Sequence, residues 1–562
     1  GRTRSLPPDK LLSLLETRGS QLLSGGFADM PARHQALWRA IEWSHALLSF
    51  PERALFRRLA AFPGGFALEG AERVCSMREG EDILGDLQSL VEKNLVVQTM
   101  RAGDPWYSMY VPIREFAEQQ LAQSGEHDAA MRRRSEYYRK LAEEAEPDID
   151  RPAGARWSGL LERELPNILA AVGWSIADSV EVALRILTSL ERFMSIRGHF
   201  QDAHDWLKRA LAAARDSPGI ERLRAKATIA AANNVLGPPG ASEATGLAEQ
   251  GVALWRAVGD ASGLAHGLLV LGVARCYRAR APVEVLPCFE ECASLCRAAD
   301  DSMGLSHALF FQALVTYIQG DLPRTKLLVE EEHQLAAGLR DLPRLAGSAA
   351  LRGLLAVDSG DYGAADRFID EGHQIIGRTP DKAGQYYIQC CRGGLAFLKG
   401  DFSRARSAFQ QAADEGFLYP EYSQPIGKLS LGLVSLREGK LEESRGLFRE
   451  GLNLLRGADH AWGRQNLCAC LAGMAGIRNA ERCHASAARI LEAARPVLTA
   501  PYLRLAWGHD YSLTPGLIST EYARISSEVR SALGPEAQQA FSDGQGLSLE
   551  AAVELALSAA GP

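Results

Sequence analysis

The sequence predicts an all-α fold: a small helical domain carrying one β-hairpin, then a long α-solenoid with repeats of about 40 residues. The first observation is a ladder of glycines, Gly320, Gly360, Gly400 and Gly439, spaced 40, 40 and 39 residues apart. They sit in nearly one phrase: Gln319-Gly-Asp-Leu322, Ser359-Gly-Asp-Tyr362, Lys399-Gly-Asp-Phe402 and Glu438-Gly-Lys-Leu441. A fixed period of this length marks a stack in which each unit buries its apolar face against its neighbours. The second is composition, rich in Ala, Leu, Arg and Glu and sparse in Ile and Asn, which favours helix. The third is a pair of strand-like runs, Asn94–Met100 and Trp106–Tyr110, set among helical segments near the N-terminus.

The totals bound the function. The chain of 562 residues is 46% hydrophobic and 23% charged, enough for a sizeable core. A net charge of −7 gives no general attraction to nucleic acid. No run of about 18 apolar residues predicts a membrane span, and Gly1–Pro8 lacks the apolar stretch of a secretory signal. A cytoplasmic location is expected, with the ten cysteines reduced.

Residues 34–125 read as a winged helix. Helices are predicted at 36–48 and 51–61, then the loop Phe62-Pro-Gly-Gly-Phe66, helices at 68–75 and 82–93, the hairpin around Arg101-Ala-Gly-Asp104, and a closing helix at 112–122. Such a domain reads DNA or acts as a regulatory lid. DNA readers place Lys and Arg on the recognition helix, yet helix 82–93 carries Asp82, Asp86 and Glu92 against Lys93 alone. Packing against protein is therefore favoured; Arg53, Arg57 and Arg58 are the residues a DNA-binding reading would use. Residues 126–180 form a helical linker, with Trp157, Leu161, Leu165, Ile168 and Val172 at helical spacing.

Residues 181–495 are the array, with turns near 198, 238, 280, 320, 360, 400, 439 and 478. Seven residues before a turn stands a small residue: Gly272, Ala313, Gly353, Gly393 or Gly432. Five after it comes another small one, such as Ala365, Ala405 or Ser444. Nine after it is a large one, Val329, Ile369, Phe409 or Phe448. Small residues let two helices approach while the large one fills the groove between them. This grammar resembles the tetratricopeptide repeat, which implies a right-handed superhelix with a long concave binding surface. Residues 496–562 are expected to form a helical cap.

Several phrases resemble one family: Leu37-Trp-Arg-Ala-Ile-Glu-Trp-Ser-His-Ala-Leu-Leu48, Ala54–Phe66, Leu87-Gln-Ser-Leu-Val-Glu-Lys-Asn-Leu95, Ile113-Arg-Glu-Phe-Ala117, the linker pattern Trp157/Leu161/Glu164/Asn167, and the tail Leu547–Val553. They are similar to bacterial STAND ATPase regulators of the antibiotic-regulator-like and LuxR types. That resemblance implies an effector domain, an NB-ARC nucleotide-binding module, a winged helix and a tetratricopeptide sensor, in that order. No Gly-x4-Gly-Lys-Ser/Thr loop is present. Residues 1–33 thus read as the remnant of an upstream nucleotide module, and the chain is expected to be the C-terminal half of a longer protein. By the same resemblance, the longer protein would use ATP/ADP and Mg, would contact the NB-ARC module in cis, and would oligomerise when open. Family members can place a histidine at the end of the wing on the nucleotide phosphate. The matching phrase here is Met109-Tyr110-Val111, which leaves Tyr110 and Arg114 as the candidate nucleotide contacts.

For the array, Arg352 and Arg392 occupy one repeat position 40 residues apart, and His307, Tyr317, Tyr386, Tyr387 and Gln389 lie on the same class of helix. Aromatic and arginine side chains are common binding anchors, which makes this row the candidate groove for a small-molecule or protein effector; inter-repeat packing is the competing reading. Cys288, Cys292 and Cys296 share one helix face and read as core rather than as a metal site. No nucleophile–base signature is present, and the chain is expected not to be an enzyme. Two other readings remain: a constitutive tetratricopeptide scaffold with no nucleotide switch, and a DNA-binding winged helix.

Overall fold

The computed structural model describes residues 32–77, 81–101, 103–149, 154–237, 240–278, 284–379, 381–415, 420–457, 461–499 and 514–558. The expected remnant at 1–33 therefore lies almost entirely outside the described residues, as do the centres of the turns at 238 and 280. Two compact units emerge, one running to Met194 with Ala212–Asp216 added, the other formed by Ser195–Leu211 and the residues from Ser217 onward.

The first unit opens with α1 (Ala32–Ala46), α2 (Phe50–Leu59), α3 (Leu68–Cys75) and α4 (Ile83–Glu92). Ser49 starts α2 through a capping box, its hydroxyl accepting from the Glu52 amide while Glu52 accepts from the Ser49 amide at 2.7 Å. Asp82 caps α4 by accepting from the Gly85 amide. Strands β1 (Val97–Arg101) and β2 (Asp104–Ser108) pair antiparallel with Thr99 opposite Trp106. β1 starts three residues later than the sequence suggests because Asn94, at φ +57°, ends α4 in a left-handed turn. Tyr110 lies beyond β2 and forms the extended N-cap of α5 (Val111–Gln123). The winged helix is thus present, with Phe66 joined to Tyr107 as an isolated bridge.

The linker helices α6 (His127–Ala145) and α7 (Gly154–Asp178), then α8 (Val180–Ser189), follow in the same unit, and α9 (Glu191–Arg197) crosses its boundary at Met194. Helices α6 and α7 are clamped onto the Phe62–Phe66 loop and its flank. Buried Asn167 accepts from the Gly64 amide at 2.8 Å and donates to Gly65 O and Glu164, both at 2.7 Å. Tyr138 donates to the same Glu164 carboxylate at 2.6 Å. Arg134 donates to Ala61 O and to Ala170 O, and Arg114 donates to Pro63 O. Gly65 has φ +82°, and a Cβ there would stand 2.6 Å from Trp106 Nε1 and Tyr107 O, so this loop requires glycine.

The second unit begins with α10 (Phe200–Ala213), after Gly198 at φ +80°. Seven helix pairs follow: α11 (Glu221–Asn234) with α12 (Ala241–Val258), α13 (Ala261–Arg278) with α14 (Leu286–Ala298), α15 (Ser302–Gln319) with α16 (Leu322–Leu339), α17 (Leu342–Asp358) with α18 (Tyr362–Ile376), α19 (Lys382–Leu398) with α20 (Phe402–Glu415), α21 (Pro420–Arg437) with α22 (Leu441–Leu454), and α23 (Ala461–Ala480) with α24 (His484–Leu498). α25 (Thr514–Leu533), α26 (Ala537–Ser542) and α27 (Leu549–Leu557) end the chain. The ladder glycines at 320, 360, 400 and 439 all adopt positive φ between pair members, where a side chain would be strained. In the last pair the turn falls at Arg482, φ +67°, four residues beyond the expected 478.

The small–large grammar is realised as contact. A Cβ on Gly272, Gly353, Gly393 or Gly432 would lie within 2.5–2.7 Å of Phe289, Ile369, Phe409 or Phe448 respectively. A second ladder underlies the first: Asp301, Asp321, Asp341, Asp361 and Asp381 recur every 20 residues, and each caps the helix after it. First and second helices of a unit therefore start by one device.

The expected long concave surface is largely filled. The first helices of the pairs are buried on nearly every side, α23 almost continuously from Gln465 to Arg478. α13 and α23, first helices five pairs apart, approach each other. α25 packs on α19, α23 and α24, with Leu517, Ile525 and Val529 fully buried. Helices apolar all round demand cover on every face, and α23, Leu467-Cys-Ala-Cys-Leu-Ala-Gly-Met-Ala-Gly-Ile477, is of that kind.

Candidate functional site

Arg352 and Arg392 stand at one register on α17 and α19, and each reaches the second helix of the preceding pair. Arg352 Nε lies 3.0 Å from Glu330 Oε1, its Nη1 lies 3.5 Å from His333 Nε2, and its guanidinium stacks 4.2 Å from the centre of the Phe368 ring. Arg392 repeats the arrangement with Asp370 at 3.7 Å and His373 Nε2 at 3.4 Å, and also donates to Gln389 Oε1 at 3.2 Å. The two triplets, Glu330–His333–Arg352 and Asp370–His373–Arg392, are related by the repeat of 40. The acids and histidines were missed in the sequence because they lie on second helices; applying the same period there finds them.

Around Arg392 a shallow, open cleft lies between α18, α19 and the start of α20. Asp366, Asp370, Lys399 and Arg404 line it over a floor of Ile369 and Leu395. Asp370 lies between Arg392 and Arg404, 3.7 and 3.8 Å away, and Lys399 pairs with Asp366. The two pairs to Asp370 are loose whereas Lys399–Asp366 is tight at 2.5 Å, and Arg392 Nε is enclosed without a hydrogen bond. The arrangement offers paired charges to a polar group.

The other predicted residues divide. Tyr386, Tyr387 and Gln389 are buried, the two rings meeting edge to face at 5.3 Å. Tyr317 is half-buried. His307 is partly exposed, 3.8 Å from Asp341, with its pKa lowered by burial and by Arg344. Cys288, Cys292 and Cys296 lie in the core with Trp255 and Ala308, and burial raises their thiol pKa values. Among the described residues no group of three or more His, Cys, Asp or Glu side chains is placed to hold a metal.

In the winged helix Tyr110 is 64% exposed, while Arg114 pairs with Glu118 at 3.3 Å besides its bond to Pro63 O. The cations a DNA reader would need are turned inward. Arg57 and Arg58 both donate to Glu126, Arg58 also to Glu81, and Arg53 to Ala46 O. Lys93 pairs with Glu52, whose burial would raise its pKa but which Lys93 and Ser89 hold down at about 2. The face of α4 thus keeps its acidic character. Trp43, Leu47 and Phe50, all more than 60% exposed, make the adjoining α1–α2 corner apolar instead.

The winged helix-turn-helix domain family matches residues 48–122. A Mycobacterium tuberculosis (strain H37Rv) protein named "Putative HTH-type transcriptional regulator Rv0890c" is 33% identical over 350 residues, 60% of this chain and 39% of that protein. The "Uncharacterized protein Rv0894" of the same strain is 40% identical over 142 residues, 25% of this chain and 35% of its own length. The chain thus spans less than two fifths of the first of these and little more than a third of the second. Among solved structures, a Pyrococcus horikoshii STAND protein with a tetratricopeptide repeat sensor, PH0952, aligns over 97% of this chain and 70% of its own at 14% identity and TM-score 0.34. Apo RapI aligns over 50% of this chain and 97% of its own, at 11% identity and TM-score 0.41. The chain carries a winged helix-turn-helix domain followed by a helical-repeat array, and it is related to proteins named as transcriptional regulators.

Proposed function

We propose that this chain is the sensor and regulatory half of a STAND-type signal-transducing regulator. In this reading the array takes an effector, and the winged-helix unit passes the change to an NB-ARC-type ATPase elsewhere in the longer protein. The observation that carries it is the 350-residue alignment to a protein named as a regulator, far longer than the winged helix alone. The inward-turned cations support a winged helix that packs on protein. The loosely paired cleft at Arg392 supports an effector with a polar group, whose binding would redistribute the ion pairs around Asp370. Such a switch works only if the effector binds the two nucleotide states with different affinity.

The test is hydrogen exchange on the full-length protein with ADP and with a non-hydrolysable ATP analogue. Protection of residues 36–122 is expected to differ between the two. Identical protection sinks the switch and leaves the constitutive scaffold, and a salt-sensitive gel shift with this chain would instead support DNA reading.

A further inference from the structure

Glu332 has no place in that reading, yet it is a carboxyl buried in the middle of the array. It sits on α16 with no exposed surface, where α15, α16 and the following α17 meet. One carboxyl oxygen, Oε1, accepts from Ser306 Oγ of α15 at 3.2 Å; the other, Oε2, is enclosed with no hydrogen-bond partner. A buried carboxylate with one bare oxygen is costly, whereas a neutral acid in the same place is not. Burial accordingly raises the Glu332 pKa to about 7, outweighing Arg344, Ser306 and Ser348, which pull it down, with a small further rise from Asp341.

The groups around it come from every neighbouring helix. α15 contributes Ser306 and His307; α16 itself contributes His333, whose Nδ1 lies 2.9 Å from Ser348 Oγ. α17 contributes its cap Asp341, then Arg344, Ser348 and Arg352. Arg344, the cation that offsets part of the cost of a charge on Glu332, also lies over the rings of Phe310 and Phe311 at 5.0 and 5.8 Å. His266 of α13 acts on His307, and Glu371 of α18 on His333. Both histidines have lowered pKa values, first through burial, so neither supplies a positive charge at neutral pH. The connection from α16 to α17 is also strained: Arg340 holds φ +57°, where the ladder uses glycine.

We propose that the junction of α15, α16 and α17 is a proton-linked hinge, in which Glu332 is a neutral acid while the helices are packed and loses its proton when α17 parts from α16. The packed junction binds this proton more tightly than the open one. Its stability is therefore fully present below pH 4.5 and falls as pH rises through 7. From pH 6 to 8.5 the opening equilibrium rises about tenfold by this linkage.

The test uses the 562-residue chain, its Glu332→Gln variant and its Ser306→Ala variant. Hydrogen exchange is read on α16 and α17 relative to α21 and α22 in the same sample, which cancels the intrinsic pH dependence. Infrared difference spectra report the protonated carboxyl. The expected result is a carboxylic-acid band in wild type that disappears as pH rises and is missing in Glu332→Gln. The tenfold loss of relative protection should appear in wild type and vanish in that variant. Ser306→Ala, which removes a donor to the ionised form, should move both changes to higher pH. Equal pH dependence in wild type and Glu332→Gln overturns the hinge. If the Gln variant does not fold, the absence of a band in wild type at pH 6, or an unmoved titration in Ser306→Ala, overturns it equally.

Discussion

Glu126 receives Arg57 and Arg58 together, through four hydrogen bonds of 2.9–3.1 Å. Burial pushes this carboxyl up, but the two guanidiniums outweigh it and hold its pKa at about 2. Since that lies below the value of 4.5 for the exposed group, the stabilisation is present above pH 4.5 and lost as pH falls towards 2. With Glu126 still 28% exposed, solvent screening leaves on the order of 1–2 kcal/mol. Urea midpoints followed from pH 5 to pH 2 should thus fall more steeply in wild type than in Glu126→Gln. Parallel curves would show that the pair contributes nothing measurable. The sequence offered Arg57 and Arg58 only as the cations the disfavoured DNA-binding reading would use, because their pattern on α2 says nothing of a partner 69 residues away. Arg352 and Arg392 were legible from period alone, but the triplets that engage them needed the neighbouring helix as well.

At the scale of the element, the glycines of the array do two separate jobs. Those with positive φ end helices; those inside first helices leave room for the large residue of the partner helix. Gly393 belongs to the second group, its Cβ position 2.6 Å from the buried Phe409 ring. Gly446, on the exposed face of α22, has nothing within 4 Å. Gly393→Ala should cost about 1–3 kcal/mol through overpacking despite better helix propensity. Gly446→Ala should gain about 0.5–1 kcal/mol from propensity alone. Thermal melts of the two variants should therefore move in opposite directions; melts moving together would remove the packing role of Gly393. This rule was readable in the sequence because spacing carries it. The aspartate ladder of 20 was equally readable but hidden behind the stronger glycine period. Closure of the inner face was not read: one repeat shows which side meets its own partner, whereas the approach of α13 to α23 depends on the sum of small rotations over five pairs.

At the scale of the molecule, cohesion comes from different sources in the two units. In the array, second helices of successive pairs are laced by ion pairs such as Arg256–Glu291, Arg297–Glu331 and Arg406–Glu443. These are exposed or half-exposed and contribute little each; successive buried apolar clusters carry the stack. In the first unit a buried polar network joins the winged helix to α6 and α7, and it cannot be divided without leaving partners unsatisfied. A fragment of residues 34–125, the winged helix as the sequence delimits it, would lose Asn167 from Gly64 and Gly65, Arg134 from Ala61, and Glu126 from Arg57 and Arg58. Removing one partner of a buried, hydrogen-bonded charge costs about 3–5 kcal/mol, comparable to the stability of a domain this small. The fragment 34–125 should therefore lack a cooperative thermal transition, while 32–194, which keeps the network whole, should show one. If both melt cooperatively at similar temperature, the winged helix is an autonomous domain and the linker helices are only attached to it. If 32–194 alone does so, any signal that moves the winged helix must move α6 and α7 with it. That is the mechanical condition the proposed regulator requires.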